Sequence, residues 1–223
     1  MAALEIDQHS LLPGTVKFYN QHLILCTGTS LWPARVEESP GLFSELQAAL
    51  HKAELPGKVR LTACAGQTGT DGLHAFLYPQ GLFLEELTIA DIPEVLRLLR
   101  GEMNVNLRSR PILSKQIFIC NHKARDVRCG ACGPPLIVAA QKYIEKHGYA
   151  DRIEVFSSSH LGGHRFAGVI VAYPSGNWYG RITPENLPRL LDEELKGNRY
   201  SANWRGCINL TPDEQIAQSS GQN

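Results

Sequence analysis

Gln116-Ile-Phe-Ile-Cys120 is a short apolar run that predicts a buried β-strand. The run His22-Leu-Ile-Leu-Cys26 repeats this pattern, with its cysteine 94 residues earlier. Each run leads into a loop and a helical pattern, and then into a second predicted strand. These second strands, Val59-Arg-Leu-Thr-Ala63 and Ile153-Glu-Val-Phe156, alternate with period two. The chain therefore contains an internal repeat.

The later parts of the two copies also correspond. The turn signals Tyr78-Pro79-Gln80-Gly81 and Tyr173-Pro174-Ser175-Gly176 are 95 residues apart, and each precedes a further strand. Helices are then predicted over 92–99 and 187–195, each following a threonine suited to cap it. Each half therefore reads β-α-β-β-α.

This order predicts an α/β (α+β) protein of two tandem thioredoxin-like β-α-β-β-α units. We place a degenerate thioredoxin-like domain at residues 1–105 and a thioredoxin-like domain with the candidate metal site, described below, at residues 106–223. In the second half the helix is expected to begin at Pro134-Pro135, where a first turn tolerates proline, and to end before Gly148.

Composition limits the function classes. The chain has 223 residues, and its 22 Lys and Arg residues balance its 22 Asp and Glu residues. A neutral chain lacks the basic footprint of a nucleic-acid or anionic-membrane binder. Its apolar runs are too short to cross a bilayer, which takes about 20 residues. Its first residues resemble neither a secretory signal nor an Arg-rich presequence. We expect a cytoplasmic protein with no nucleic-acid or membrane partner.

Four residues in the second half have the spacing of metal ligands. Cys120 and Cys129 flank the loop after one strand, and His160 and His164 lie in the glycine-rich loop after the next. Because the ends of adjacent parallel strands lie side by side, these loops can converge. Two thiolates and two imidazoles suit either zinc or an iron–sulfur cluster.

The same residues allow two alternatives. The four ligands could close around a structural zinc ion. Alternatively, Cys129-Gly-Ala-Cys132 is a C-x-x-C ahead of the predicted helix start, a spacing that also suits a thiol–disulfide oxidoreductase. The first half retains Cys26 and Cys64 without a histidine pair, so its cysteines are expected to be core residues.

Three ordered motifs resemble the sucrase/ferredoxin-like family of thioredoxin-like ferredoxins. They are Cys120-Asn-His-Lys-Ala-Arg-Asp-Val-Arg-Cys-Gly130, Ser158-Ser-His-Leu-Gly-Gly-His-Arg-Phe-Ala-Gly168 and Tyr173-Pro-Ser-Gly-Asn-Trp-Tyr-Gly-Arg181. The late Trp204-Arg-Gly-Cys207 adds a fourth. The resemblance is strong over about residues 116–207 and weak in the first half, and Cys132 departs from the expected pattern.

The resemblance implies a 2Fe–2S cluster held by Cys120, Cys129, His160 and His164, and a role in cellular redox balance. We therefore expect one-electron transfer, coupled to a proton at a histidine ligand, between a redox-protein donor and acceptor that the sequence does not identify. Such a protein is an electron carrier rather than an enzyme with its own substrate.

Overall fold

The structure is a computed structural model and describes residues 5–220. Its ten strands are β1 (Gln21–Cys26), β2 (Val59–Cys64), β3 (Leu73–Tyr78), β4 (Leu82–Leu87), β5 (Ser109–Pro111), β6 (Lys115–Cys120), β7 (Ile153–Ser158), β8 (Ile170–Tyr173), β9 (Asn177–Tyr179) and β10 (Trp204–Cys207). Its five α-helices are α1 (Leu42–Lys52), α2 (Ile92–Leu99), α3 (Val127–His147), α4 (Leu187–Lys196) and α5 (Pro212–Ser220).

The strands form one sheet in the order β10-β9-β8-β6-β7-β2-β1-β3-β4-β5. Within each half the chain runs β-α-β-β-β-α, with one parallel pair followed by antiparallel strands, so each half has one strand more than the predicted β-α-β-β-α order. The predicted α/β class and the internal repeat are confirmed. The domain boundary between residues 105 and 106 stays a prediction; β5, just after it, pairs with β4 of the first half.

The halves meet through equivalent strands. β2 and β7 are antiparallel neighbours joined at the single register pair Cys64↔Ser158. Tyr78 and Tyr173, which occupy matching positions in the repeat, stack with ring centroids 3.7 Å apart. The two copies are thus arranged about an approximate two-fold relation, with matching elements in contact.

Alternation along the strands divides the buried residues into separate cores. In β1, Leu23 and Leu25 pack into a cluster with α1 and α2, whereas Ile24 and Cys26 point to the opposite face. α3 and α4 cover an equivalent cluster in the second half. The third cluster takes side chains from both halves and includes Cys120 and Cys129. The candidate site therefore borders the core that the halves share.

The predicted start of the second-half helix was wrong. α3 begins at Val127, so Pro134 and Pro135 lie inside it, and it ends as predicted at Gly148. The Asp126 carboxylate caps the earlier start by accepting the backbone N–H of Arg128 at 3.0 Å. The two prolines suggested a start signal, whereas this cap lies eight residues before them. Cys129 consequently lies in the first turn of a helix.

Within residues 5–220, no helix combines the length and the apolar character needed to cross a membrane.

Candidate functional site

The four predicted ligands lie at one edge of the second-half sheet. Cys120 is the last residue of β6, and Cys129 is in the first turn of α3. His160 and His164 follow β7, which runs parallel to β6 with Cys120 opposite Ser158. The parallel register therefore brings the loop after each strand to the same edge.

Close packing of α3 brings the two sulfurs together. A Cβ atom added to Gly133 would lie 2.6 Å from the backbone oxygen of Cys120, so only glycine lets the helix approach the strand end. Cys120 and Cys129 are both buried. Interaction with the Cys129 thiol, and then with His160, holds the pKa of Cys120 well below its usual value, against the effect of burial. The interaction with Cys120, together with burial, raises the pKa of Cys129.

The histidines complete the group. The ring centroids of His160 and His164 are 5.5 Å apart. The Nδ1 atom of each ring is buried and makes no hydrogen bond in the described structure. Burial lowers the pKa of His164, and the Asp126 carboxylate, 3.6 Å from its Nδ1, acts in the opposite direction. Burial thus favours the neutral form of His164, the form of imidazole that binds metals.

Asp126 connects the helix start to the histidines. Besides capping α3, its carboxylate makes two bonds to the Arg128 guanidinium, at 2.8 and 2.9 Å. These bonds lower the pKa of Asp126 to about 2. Asp126 therefore carries its negative charge at neutral pH beside His164.

His122 is a positioning residue that sequence analysis did not assign. Its buried ring accepts the backbone N–H of His160 on Nδ1 at 3.1 Å, which leaves Nε2 to donate to the Pro33 carbonyl at 2.8 Å. The ring is therefore a neutral bridge between the first half and the histidine loop. Its place two residues after Cys120 was the available signal, but spacing alone does not distinguish a bridge from a ligand.

Two arginines also hold the histidine loop. Arg60, from β2 of the first half, donates to the Leu161 carbonyl, and Arg205, from β10, donates to the Gly162 carbonyl at 3.1 Å. Both guanidiniums interact favourably with a negative charge on Cys120. Arg205 belongs to the quoted Trp204-Arg-Gly-Cys207 motif. Arg60 lies in an ordinary strand and offers no sequence signal.

Cys132, Cys26 and Cys64 are not part of this group of four residues. Cys132 is half-buried, and desolvation raises its pKa. Cys26 and Cys64 are buried at the ends of β1 and β2 with their sulfurs 3.6 Å apart, which confirms the prediction that they are core residues. The structure therefore brings the four predicted ligands together and leaves the first-half cysteines in a different place.

The four candidate ligands can be compared with the needs of the 2Fe–2S cluster that the family resemblance implies. Over residues 5–220, no three His, Cys, Asp or Glu side chains meet closely enough to hold a single metal ion. The contacts instead form two linked pairs, Cys120 with Cys129 and His160 with His164. A two-iron cluster takes one pair of protein ligands on each iron, and in the histidine-ligated type one iron has two sulfur ligands and the other has two imidazoles. The residues present fit that requirement.

Comparisons with known proteins agree with the motifs. The Sucrase/ferredoxin-like family profile matches residues 12–206. "Altered inheritance of mitochondria protein 32" of Meyerozyma guilliermondii is 30% identical over 112 residues, covering 48% of this chain and 40% of that protein. The Debaryomyces hansenii protein of the same name is 33% identical over 110 residues, covering 47% of this chain and 40% of its own length. The chain thus spans about two fifths of the length of these curated relatives.

A longer match is to the protein of that name from Clavispora lusitaniae, which is 26% identical over 197 residues and covers 75% of this chain and 71% of the relative. Among solved structures, a thioredoxin-like [2Fe-2S] ferredoxin from Aquifex aeolicus aligns with a TM-score of 0.37 and 18% identity. It covers 41% of this chain and 95% of its own. On the family match, which includes both halves of the repeat, the chain belongs to the Sucrase/ferredoxin-like family.

Proposed function

We propose that this chain binds a 2Fe–2S cluster through Cys120, Cys129, His160 and His164 and serves as a one-electron carrier. The observation that carries the proposal is the contact between a buried cysteine pair and a histidine pair whose two Nδ1 atoms are buried without hydrogen bonds. Buried polar atoms normally have partners, so two such nitrogens on histidines at the same sheet edge as the cysteine pair support their proposed role as ligands.

A cluster of this type supplies one-electron redox chemistry, and histidine ligation raises its potential above that of an all-cysteine ferredoxin. The chain's own residues prepare the ligands. Arg60 and Arg205 stabilise negative charge on Cys120, while His122 holds the backbone of His160. Asp126 keeps a negative charge beside His164. Coupling of the electron to a proton at His160 or His164 stays a prediction, tested by the pH dependence of the midpoint potential.

The test is anaerobic purification followed by a visible spectrum and by iron, sulfide and zinc analysis. We expect a red-brown protein with about two irons and two sulfides per chain. Cys120→Ala should remove the colour, and Cys132→Ser should retain it. A colourless chain with one zinc per molecule would contradict the proposal and make the site structural.

A Cys129–Cys132 dithiol has less support from the geometry. The interaction with Cys120 raises the pKa of Cys129, and burial raises the pKa of Cys132, which disfavours the thiolate that disulfide exchange requires. This alternative predicts metal-free disulfide reduction that is lost in Cys132→Ser. Retained colour together with no such activity in the unmodified chain would exclude it.

The partners we propose are a protein electron donor and a protein acceptor. The cytoplasmic location stays a prediction, and cell fractionation with an antibody to the chain would test it.

A further inference from the structure

A cavity of about 300 Å³ opens beside the histidine loop. Four cationic side chains line it, and His160 forms part of its wall; the cations are Lys17, Arg60, Arg125 and Arg205. None of the described residues that line the cavity is an Asp or Glu. This concentration of positive charge stands out in a chain whose formal net charge is zero.

The two inner arginines have no carboxylate partner among the described residues. Arg60 and Arg205 donate to the neutral carbonyl oxygens of Leu161, Gly162 and Thr15, and neither makes an ion pair among residues 5–220. The Arg60 Nε atom is buried and makes no hydrogen bond there. Burial and the neighbouring Arg60 lower the pKa of Arg205 to about 10. An anion between the two buried guanidiniums would reduce their mutual repulsion and stabilise their charged forms.

Glycines in the wall of the cavity let the backbone of the histidine loop approach the Arg205 guanidinium closely. Gly162 and Gly163 both have left-handed backbone angles, with φ of 87° and 76°. A side chain at Gly163 would strike the Arg205 guanidinium, since an added Cβ would lie 2.2 Å from Nη2. On another side the Arg60 guanidinium lies 5.0 Å from the centre of the Trp178 ring. The indole therefore borders the charged cavity and can report on its occupancy.

We propose that this cavity binds a dianionic phosphoryl group, either as free phosphate or as the phosphate end of a nucleotide. Arginine forks and a lysine are the groups that proteins use to hold phosphate oxygens. A dianion neutralises more of the charge from four cations than one carboxylate would. The site goes beyond the proposed function, because binding of the anion does not require the cluster.

Isothermal titration of the full chain with inorganic phosphate, with chloride balancing the ionic strength, tests the site. We expect saturable binding of one phosphate per chain and a change in tryptophan fluorescence. Arg125→Ala and Lys17→Ala remove exposed side chains, so folding should survive, and each should weaken binding about tenfold. Lys142→Ala, which changes a lysine on α3 outside the cavity, is the matched control and should change nothing.

No saturable binding below about 10 mM phosphate, a very weak affinity, would overturn the proposal. Equal weakening by Lys142→Ala would overturn it as well, because the effect would then be general screening. Adenosine monophosphate, titrated in parallel, separates the two sources. Equal affinities identify free phosphate as the ligand, and tighter binding of the nucleotide identifies a larger phosphorylated molecule.

One consequence rests on the proposed function. An anion beside His160 opposes the addition of an electron at the neighbouring site, so saturating phosphate should lower the midpoint potential of the iron-loaded chain. Arg125→Ala should reduce this shift. An unchanged potential with phosphate bound would overturn the coupling, and a chain that binds phosphate but no iron would overturn the proposed function while leaving the anion site intact.

Discussion

The two halves share a framework and differ in the loops that leave its strands. β1 and β2 end at Cys26 and Cys64, which face each other in parallel register. β6 and β7 end in the same register at Cys120 and Ser158, each 94 residues later in the chain. Identical strand lengths and spacing therefore present two strand ends of the same shape, only one of which carries the candidate ligands.

Residue identity in the loops accounts for the difference. The residues 94 positions before Cys129, His160 and His164 are Arg35, Gly66 and Thr70. Only Cys120 has a counterpart of its own type, Cys26. At Gly66 a side chain would collide with the thiols, since an added Cβ would lie 2.8 Å from the Cys26 sulfur. The first half has filled the equivalent space with packed sulfur and glycine.

The first half instead supports the second. Pro33 accepts from His122, Arg60 holds the histidine loop, and the backbone N–H of Ala63 donates to the Ser159 hydroxyl at 2.9 Å. A copy without ligands thus supplies part of the wall and the positioning contacts of the candidate site. A repeated unit without the candidate ligands can therefore still position the residues around them in the other unit.

Substitution of the equivalent cysteines Cys120 and Cys26 should give the largest difference between the two halves. We expect Cys120→Ala to lose most bound iron, a reduction beyond the 10–100-fold loss of affinity typical of residues that only support a ligand. Cys26→Ala, at the matching strand end, should keep full iron and sulfide content. Equal iron loss in both variants would show that the halves do not differ in this way.

His122→Ala tests the support that crosses between the halves. Removing the buried ring loses its two hydrogen bonds, to the Pro33 carbonyl and from the His160 N–H, which should lower the free energy of unfolding by about 2 kcal/mol at about 1 kcal/mol per bond. Iron retention against a chelator should fall about 10–100-fold, as for other supporting residues. His74→Ala, which removes a partly buried histidine of the first half, is the control. If it loses iron equally, the effect comes from general destabilisation.

Gly66→Ala tests whether packing closes the first-half position. The added methyl should meet the Cys26 sulfur and lower the free energy of unfolding in urea by about 2 kcal/mol, as overpacked cores do. Combining it with Cys26→Ala should recover much of that loss, because the colliding atom is gone. Strictly additive effects would contradict a direct clash.

The helix starts provide the smallest contrast. α3 is capped by the Asp126 side chain, whereas α1 begins after Gly41, which has no side chain to cap it. Asp126→Ala should lower the free energy of unfolding at pH 7 by about 1 kcal/mol. The pKa of Asp126 is depressed from 3.8 to about 2, so this stabilisation is present above pH 4.

Protonation of Asp126 removes that contribution as the pH falls from about 4 to 2, because the folded protein stabilises the ionised carboxylate more than the unfolded chain does. Urea unfolding at several pH values should show the difference between the parent and Asp126→Ala shrinking over this range. A difference that is constant down to pH 2 would contradict the assignment of the carboxylate as cap and ion-pair partner.

The local sequence pattern determined most of the secondary structure of this protein. The apolar run ending at Cys120, its copy ending at Cys26 and the repeated turns predicted the element order of both halves except for one strand in each, because strand and helix periodicity is encoded in consecutive residues. The spacing of Cys120, Cys129, His160 and His164 identified residues that do come together, since adjacent parallel strands end at a common edge.

Tertiary structure decided the rest. No local signal could place Arg60 against Leu161, Pro33 against His122, or four cations around one cavity, because these contacts join residues far apart in the chain. The early start of α3 also depended on a cap and on the approach of Gly133 to Cys120. Periodicity determines which elements form, whereas the surroundings of a site depend on which surfaces those elements bury together.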